Sequence, residues 1–516
     1  EGAGHLTELL KLSDAIIHLD ISNNPFGDDG CREIIKAMHK RNPDFAEEPG
    51  AAKKDERYNC SLTYVDMSTT GMGHYACEQL LDFFRCNKTM ATLILEGNSG
   101  IEAKNMKHVF NAIRNYSQSL QRLSLNDNTI TLKSMGYLGR LLEEADLPLK
   151  HLEISHCELG SNHTSYLSNS VMKSVHLQHL NVNSNALGVE GPDALAETLY
   201  VDHKMFLPKE MGEELANMTE EERLRSTFVD HFQVETYADM KRDHAAEAAA
   251  AAKLESYANM YRGVKVPGPP LHTVDFSYCS LQPTQAKALL RAFCSRPSIR
   301  IIRMNGNNIG DNLDEIAGDL ALSEARELQL NQCQLMAKGA MTLFSILCHT
   351  KAVEKPAEMG GSMLGSTLRA LYLANNDIHD SVSASLCAML KANVVLEHLD
   401  IGFNQLTDAI TPQLKETVAV TSSSSLAMKV TSLSVNVLGN RCDPYALDLP
   451  GMTRSKIVFK FGVNASVVDS VNDGYSHVSQ VARKHFFMRK DKVTEKLTAD
   501  STTALDQQNW RVNNVA

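Results

Sequence analysis

Residues 120–130 read LQRLSLNDNTI, and the same pattern of apolar and polar positions returns at residues 177–187, 368–378 and 396–406. The shared unit is an apolar residue, two variable residues, L-x-L, two variable residues, Asn, one variable residue and a last apolar residue. Because side chains alternate along a strand, both outer residues of L-x-L face the same side, where the next copy can cover them. The Asn side chain can bond the backbone of the turn that leaves the strand. The pattern therefore predicts stacked coils, each with one short strand.

The polar position of this unit can be followed along most of the chain. It is occupied in turn by Asn24, Thr70, Asn98, Asn128, Cys157, Asn185, Cys279, Asn307, Cys333, Asn376 and Asn404. Most of the intervals are 26 to 30 residues, and the longer ones of 46, 94 and 43 residues indicate insertions. A twelfth, degraded unit is predicted at Leu433 and Val435, with Leu438 in the polar position. After the turn, apolar residues recur three and four apart, which predicts a helix with one face on the strands.

These units resemble the ribonuclease-inhibitor-like leucine-rich-repeat family, whose units are 28 or 29 residues long and contain a full helix. The resemblance covers about residues 14–445 outside the insertions. It implies an α/β fold, a horseshoe-shaped solenoid with short parallel strands on the concave face and helices on the convex face. Solenoids of this shape commonly bind partners on the concave face.

The interruptions divide the chain into four parts: a repeat block at 1–199, an insertion at 200–270, a second repeat block at 271–445 and an extension at 446–516. The insertion has 13 acidic and 8 basic residues between positions 200 and 262. A capping box and an alanine-rich run predict two or three helices in it. This composition fits either a solvated loop or a docking element for a partner. In the extension, residues 456–463 alternate like a strand that could cap the array.

The candidate binding residues lie at the middle position of L-x-L, which the fold places side by side on the concave face. They are Asp20, Asp66, Glu153, Asn181, Asp275, Arg303, Gln329, Tyr372 and Asp400, together with Glu96 and Asn126 two positions beyond it in their own units. Acidic residues predominate, so the surface is expected to favour a basic or mixed-charge protein surface. The alternative is a merely solvated sheet.

A second candidate surface is a basic helix predicted near the C-terminal end. It carries Arg483, Lys484, Arg489 and Lys490, with aromatic residues among them. Such a helix could bind an acidic partner. It could equally pack on the array with its charges in solvent.

Searches for reaction chemistry find no zinc-protease, nucleophile-elbow, calcium-loop or glycine-rich dinucleotide motif. His18, His151, His179 and His398 share one repeat position, and stacked coils are expected to hold them too far apart for a metal site. The chain is therefore predicted to be no enzyme, with no metal, cofactor or small-molecule substrate. Its net charge of −11 disfavours nucleic acid. No run of 18 apolar residues predicts a membrane span.

The function expected from these features is a non-enzymatic protein–protein interaction scaffold within an intracellular assembly. Its 11 cysteines contain no CxxC pair, which favours reduced thiols in the cytoplasm. Axonemal and other cytoskeletal leucine-rich-repeat proteins are similar in carrying decorated arrays, which suggests a cilium or flagellum. The alternative is a GTPase activator resembling the Ran GTPase activator, which shares this repeat type.

Overall fold

The computed structural model describes residues 2–13, 15–39, 61–101, 103–144, 146–201, 266, 268–348, 367–393, 395–423, 433–442 and 457–460. Within these ranges, one sheet runs in chain order through thirteen parallel strands. The strands are β1 His18–Asp20, β2 Tyr64–Asp66, β3 Thr92–Ile94, β4 Arg122–Ser124, β5 His151–Glu153, β6 His179–Asn181, β7 Thr273–Asp275, β8 Ile301–Arg303, β9 Glu327–Gln329, β10 Ala370–Tyr372, β11 His398–Asp400, β12 Leu433–Asn436 and β13 Ile457–Lys460. The predicted α/β solenoid is confirmed.

Helices form the second layer: the first precedes β1, and each of the others follows the turn after a strand. They are α1 Gly2–Leu12, α2 Gly27–His39, α3 His74–Cys86, α4 Ala103–Tyr116, α5 Leu132–Leu142, α6 Ser161–Lys173, α7 Glu190–Leu199, α8 Pro283–Cys294, α9 Ala317–Leu322, α10 Met336–Cys348, α11 Ser383–Ala392 and α12 Thr411–Ser423. The core lies between the two layers and contains the central strand residues, such as Leu93, Leu123 and Leu152, which pair in register and are at most 1 % exposed. Burying a leucine stabilises the fold by about 1.5–3 kcal/mol, so this ladder of apolar residues holds the coils together.

The polar position of each unit links a coil to the coil before it. The Nδ2 of Asn128 donates to the carbonyls of Leu125 and Leu95, both at 2.9 Å. Its Oδ1 accepts from the backbone N–H of Asn98 at 3.0 Å. At Cys157 the thiol is fully buried, and burial raises its pKa to about 12, so the group is inert there. No disulfide joins the cysteines within the described ranges.

The predicted alignment of the twelfth unit is wrong by two residues. Val435, and not Leu433, pairs with Leu399 of the preceding strand. The polar position therefore falls on Asn440, whose Nδ2 donates to the carbonyls of Ile401 at 2.8 Å and Val437 at 3.0 Å. Leu433, Val435 and Val437 are all apolar with a period of two, so alternation alone permits either alignment.

The side chain of one buried arginine bonds to both ends of the insertion. The guanidinium of Arg296 donates to the carbonyl of Leu199 at 3.0 Å and to that of Pro269 at 3.4 Å. Arg296 is 2 % exposed, and burial lowers its pKa to about 10. The two flanks of the 94-residue interval thus meet at one point, which lets the sheet pass directly from β6 to β7.

Several predictions fall outside the described residues. They are the helices and docking role of most of 200–270, the smaller insertions near 40–58 and 351–365, and the basic helix with Arg483, Lys484, Arg489 and Lys490. In the extension, residues 457–460 form the predicted strand, which pairs with β12. Of the described helices, none has the length and apolar composition that a bilayer crossing requires.

Candidate binding surface on the concave face

Parallel pairing with one strand per coil places equivalent side chains next to each other. Asp20 pairs with Asp66, and Ser124 pairs with Glu153, along the face that the helices leave open. Adjacent strands are about 4.8 Å apart, so charges at this position influence one another across the sheet. Four carboxylates on the first five strands and their turns, at Asp20, Asp66, Glu96 and Glu153, are called the acidic patch below.

The centre of the acidic patch is a hydrogen-bonded cluster around β4. Ser124 donates its hydroxyl to Glu96, and the Nδ2 of Asn126 donates to Glu96 Oε1 at 2.9 Å. The same two donors lie 3.4 Å from Glu153 Oε2. Burial raises the pKa of Glu96, and the nearby carboxylates of Glu153 and Asp66 raise it further, against the lowering effect of these hydrogen bonds.

The outer end of the acidic patch is bound to its own turns. Asp66 Oδ1 accepts from the backbone N–H of Ser68 at 2.9 Å and from its hydroxyl at 2.6 Å. Asp20 accepts from the backbone N–H of Ser22 at 3.0 Å, and this bond holds the pKa of Asp20 below its ordinary value. These carboxylates are therefore held in position, with Asp66 partly exposed and Asp20 exposed.

A basic and aromatic column runs beside the acidic patch. Arg122 forms an ion pair with Glu153 at 2.8 Å. The rings of His18 and Tyr64 stack with centroids 3.8 Å apart.

The expectation that coil stacking separates the histidines is wrong for neighbouring coils. The rings of His151 and His179 stack at 4.0 Å because their strands are adjacent in the sheet. Burial, together with the charges of the neighbouring His151 and His272, lowers the pKa of His179 to about 4. Among the described residues of the concave face, no three potential metal ligands come together.

The second half of the face presents only part of the predicted contact residues. Asn181, Asp275 and Arg303 are partly exposed. The side chains of Gln329, Tyr372 and Asp400 are instead buried, with exposures of 6 %, 9 % and 0 %. They are removed from the candidate contact residues.

The physical reason for this burial is crowding by large neighbours. Asp400 lies in register between Tyr372 and Asn436. Its Oδ1 accepts from the N–H of Gly402 at 2.9 Å and from Asn436 at 3.0 Å, whereas Oδ2 has no hydrogen-bond partner in the described part of the chain. Burial raises the pKa of Asp400 to about 6. Gln329 is likewise enclosed in hydrogen bonds, accepting from Asn305 and donating to Glu327.

The acidic patch includes Glu96, which lies two positions beyond the middle residue of L-x-L. Ser124 and Asn126 are therefore close enough to act as donors to both Glu96 and Glu153. The sequence places both residues on the concave face, Ser124 at the middle of L-x-L and Asn126 two positions later, but does not show that they share the same two carboxylates. A polar residue in the middle of L-x-L between two carboxylate-bearing units is the signal that identifies such a donor.

Comparison with known proteins agrees with the repeat. The family model "Leucine Rich repeat" matches residues 16–34, 173–196 and 392–410. Ribonuclease inhibitor of Sus scrofa is 24 % identical over 78 % of this chain and 86 % of its own length. "NACHT, LRR and PYD domains-containing protein 5" of Bos taurus is 23 % identical over 38 % of this chain, and the match spans 19 % of that protein's length. An internalin structure from Listeria monocytogenes covers 90 % of the chain with a TM-score of 0.41 and 13 % identity.

The geometry agrees with the leucine-rich-repeat and ribonuclease inhibitor matches. The parallel sheet advances by one strand per unit, and the polar residue joins each coil to the next. The chain folds as a leucine-rich-repeat solenoid and is similar in sequence to ribonuclease inhibitor.

Proposed function

We propose that this chain is a non-enzymatic protein-binding scaffold whose acidic patch binds a basic or mixed-charge segment of a partner protein. The observation that carries the proposal is the pair of carboxylates at Glu96 and Glu153, which are held close together by shared donors on the concave face. Placing two like charges side by side costs free energy, and a lysine or arginine from a partner would offset that cost.

The cations of the described chain neutralise only part of the acidic patch. Arg122 pairs with Glu153, whereas within the described ranges no Lys or Arg lies within ion-pair distance of Asp20, Asp66 or Glu96. Hydrogen bonds to the turns hold Asp20 and Asp66 in place, so a partner would meet a preorganised surface. Preorganisation reduces the entropy that binding must remove.

The proposed roles of the insertion and of the C-terminal basic residues, and the proposed location in the cell, rest on the sequence. Residues 200–270 and the basic residues from Arg483 to Lys490 would add contacts to neighbouring proteins in the assembly. We propose that the protein lies in the cytoplasm, within a cytoskeletal, ciliary or flagellar structure. This proposal rests on the similarity to axonemal and other cytoskeletal leucine-rich-repeat proteins whose arrays carry insertions.

Site-specific photo-crosslinking in an extract of native cells tests the proposed surface. A photoreactive residue at Thr92, a partly exposed residue of β3 beside the acidic patch, should capture a distinct protein. The matched position is Lys133, which is exposed on α5 on the helical side. The same product from both positions, or a product from Lys133 only, would contradict the proposal.

A GTPase-activating role is separated by a direct assay. Such activators often insert an arginine to stabilise the transition-state charge. The arginines of the described strands, Arg122 and Arg303, are both ion-paired, with Glu153 and Glu327. We expect no stimulation of GTP hydrolysis by small GTPases, and robust stimulation that is lost in an Arg122→Ala or Arg303→Ala variant would replace the scaffold proposal.

A further inference from the structure

Two neighbouring helices on the convex side bring three potential metal ligands together. His74 is the first residue of α3, and Glu78 follows one turn later on the same helix face. His108 lies on the adjacent helix α4. The three side chains lie on the helical side of the solenoid, away from the acidic patch.

The ligand atoms are close enough for one ion. Glu78 Oε1 lies 3.5 Å from His74 Nε2 and 3.9 Å from His108 Nε2, and one ligand atom from each residue lies within 4.8 Å of the others. Tetrahedral zinc with bonds of about 2.0–2.1 Å requires ligand atoms about 3.3 Å apart. The side chains are 42 %, 49 % and 34 % exposed, so small rotations can close the remaining gap.

A buried asparagine orients the first histidine. Asn105 is 2 % exposed, and its Nδ2 donates to the carbonyl of Gly100 at 2.9 Å. Its Oδ1 therefore faces His74 Nδ1 at 3.0 Å and accepts the proton there. The proton on Nδ1 leaves a lone pair on Nε2, the atom that faces Glu78. Metal-binding histidines almost always have a partner of this kind on the second ring nitrogen.

We propose that His74, Glu78 and His108 bind a Zn²⁺ ion, with Asn105 as the residue that positions His74. Two imidazoles and one carboxylate are ligands that zinc accepts, and a fourth position remains open to water or to a donor from another molecule.

Zinc titration of the full-length, chelator-stripped protein tests the site. Binding is measured by competition with a chromophoric zinc chelator, and Co²⁺ absorption reports whether the geometry is tetrahedral. Wild type should bind one more equivalent than His74→Ala or His108→Ala. Asn105→Ala should retain that equivalent with an affinity lower by about 10–100-fold.

The control addresses the other histidines and cysteines of the chain. His156→Ala removes an exposed histidine from a concave-side turn and should leave the stoichiometry of the wild type. Circular dichroism verifies that each variant is folded. Equal stoichiometry in wild type and His108→Ala, or an Asn105→Ala affinity equal to that of wild type, would overturn the proposal.

Discussion

Glu96 and Glu153 share a single amide: the Nδ2 of Asn126 lies 2.9 Å from Glu96 Oε1 and 3.4 Å from Glu153 Oε2. The Ser124 hydroxyl is shared in the same way, Arg122 pairs with Glu153 but not with Glu96, and burial of Glu96 increases the cost of its charge. The free protein therefore carries unfavourable electrostatic energy at the centre of the proposed binding surface. A cationic partner would remove it.

The first prediction is that Glu96→Gln stabilises the free protein at neutral pH. The folded-state pKa of Glu96 is raised, so its contribution to stability is fully present below its ordinary pKa and is lost as the pH rises through the folded-state value. Thermal unfolding should show a higher midpoint for Glu96→Gln at pH 7.5 and a smaller difference at pH 4. Glu143→Gln, on the helical side, is the matched neutralisation. A variant that is less stable than wild type at pH 7.5 would contradict this interpretation.

A second prediction concerns the buried carboxylate of Asp400. Burial raises its pKa from 3.8 to about 6, so it contributes stability that is present below pH 3.8 and lost as the pH rises through about 6. Asp400→Asn should therefore increase the free energy of unfolding at pH 7.5, by up to about 3 kcal/mol, and by much less at pH 4.5. Denaturant titration at the two pH values measures the difference.

Asp20→Asn provides a comparison of opposite sign. The folded-state pKa of Asp20 is lowered, so its contribution is present above the ordinary pKa and lost as the pH falls through the folded-state value. This variant should be slightly destabilised at pH 7.5. A stabilising effect of both substitutions at pH 7.5 would show that loss of general negative charge, and not burial of Asp400, is responsible.

A third prediction concerns the polar residue that joins the coils. Asn128→Ala removes the bonds to the carbonyls of Leu95 and Leu125 and to the N–H of Asn98. Each group left unsatisfied should lower the free energy of unfolding by no more than about 1–3 kcal/mol, a loss that denaturant unfolding can resolve. Asn128→Cys should cost less, because cysteine fills this position at Cys157, where its Sγ lies 3.2 Å from the carbonyl of Leu125. Equal losses would contradict this expectation and show that the thiol does not replace the amide at this position.

The fourth prediction uses two glycines with left-handed backbones. Gly306 has φ +69° and Gly310 has φ +76°, so alanine should cost about 1–2 kcal/mol at either position. At Gly306 an added Cβ would also overlap the ring of Tyr278, whereas at Gly310 the nearest atom is Cβ of Pro283 at 3.7 Å. Thermal unfolding should therefore show a larger loss for Gly306→Ala.

The Tyr278 contact can be isolated in a double-mutant cycle. Ser184 occupies the position in an earlier unit that is equivalent to Tyr278. The two residues have similar backbone conformations, with φ 56° at Ser184 and φ 54° at Tyr278, so serine can replace Tyr278 there. In a Tyr278→Ser background the additional loss of Gly306→Ala should disappear. If it persists, the ring is not the cause.

The repeat could be predicted because the residues that determine the structure of each coil lie within that coil's own unit. Leu123 and Leu125 specify the buried side of β4, and Asn128 specifies the turn. Where several apolar residues follow with a period of two, as at Leu433, Val435 and Val437, alternation does not select the alignment. Asn440, five residues after Val435, supplies the missing information.

The features that could not be predicted depend on contacts between coils. Whether the middle residue of L-x-L is exposed depends on the sizes of its neighbours, so Asp66 is partly exposed and Asp400 is buried beside Tyr372. The His74–His108 cluster likewise requires knowledge of which helix turns face each other. Spacing within one unit contains neither kind of information.

The most direct test of the proposed surface is the salt dependence of affinity for the partner captured at Thr92. Isothermal titration calorimetry would compare wild type with Asp66→Asn/Glu96→Gln and with a matched pair from the helical side, Glu143→Gln/Glu144→Gln. We predict that the concave pair weakens binding by about tenfold or more, and that this difference shrinks as salt screens the charges. Equal affinities of wild type and the concave pair at low salt would contradict the account.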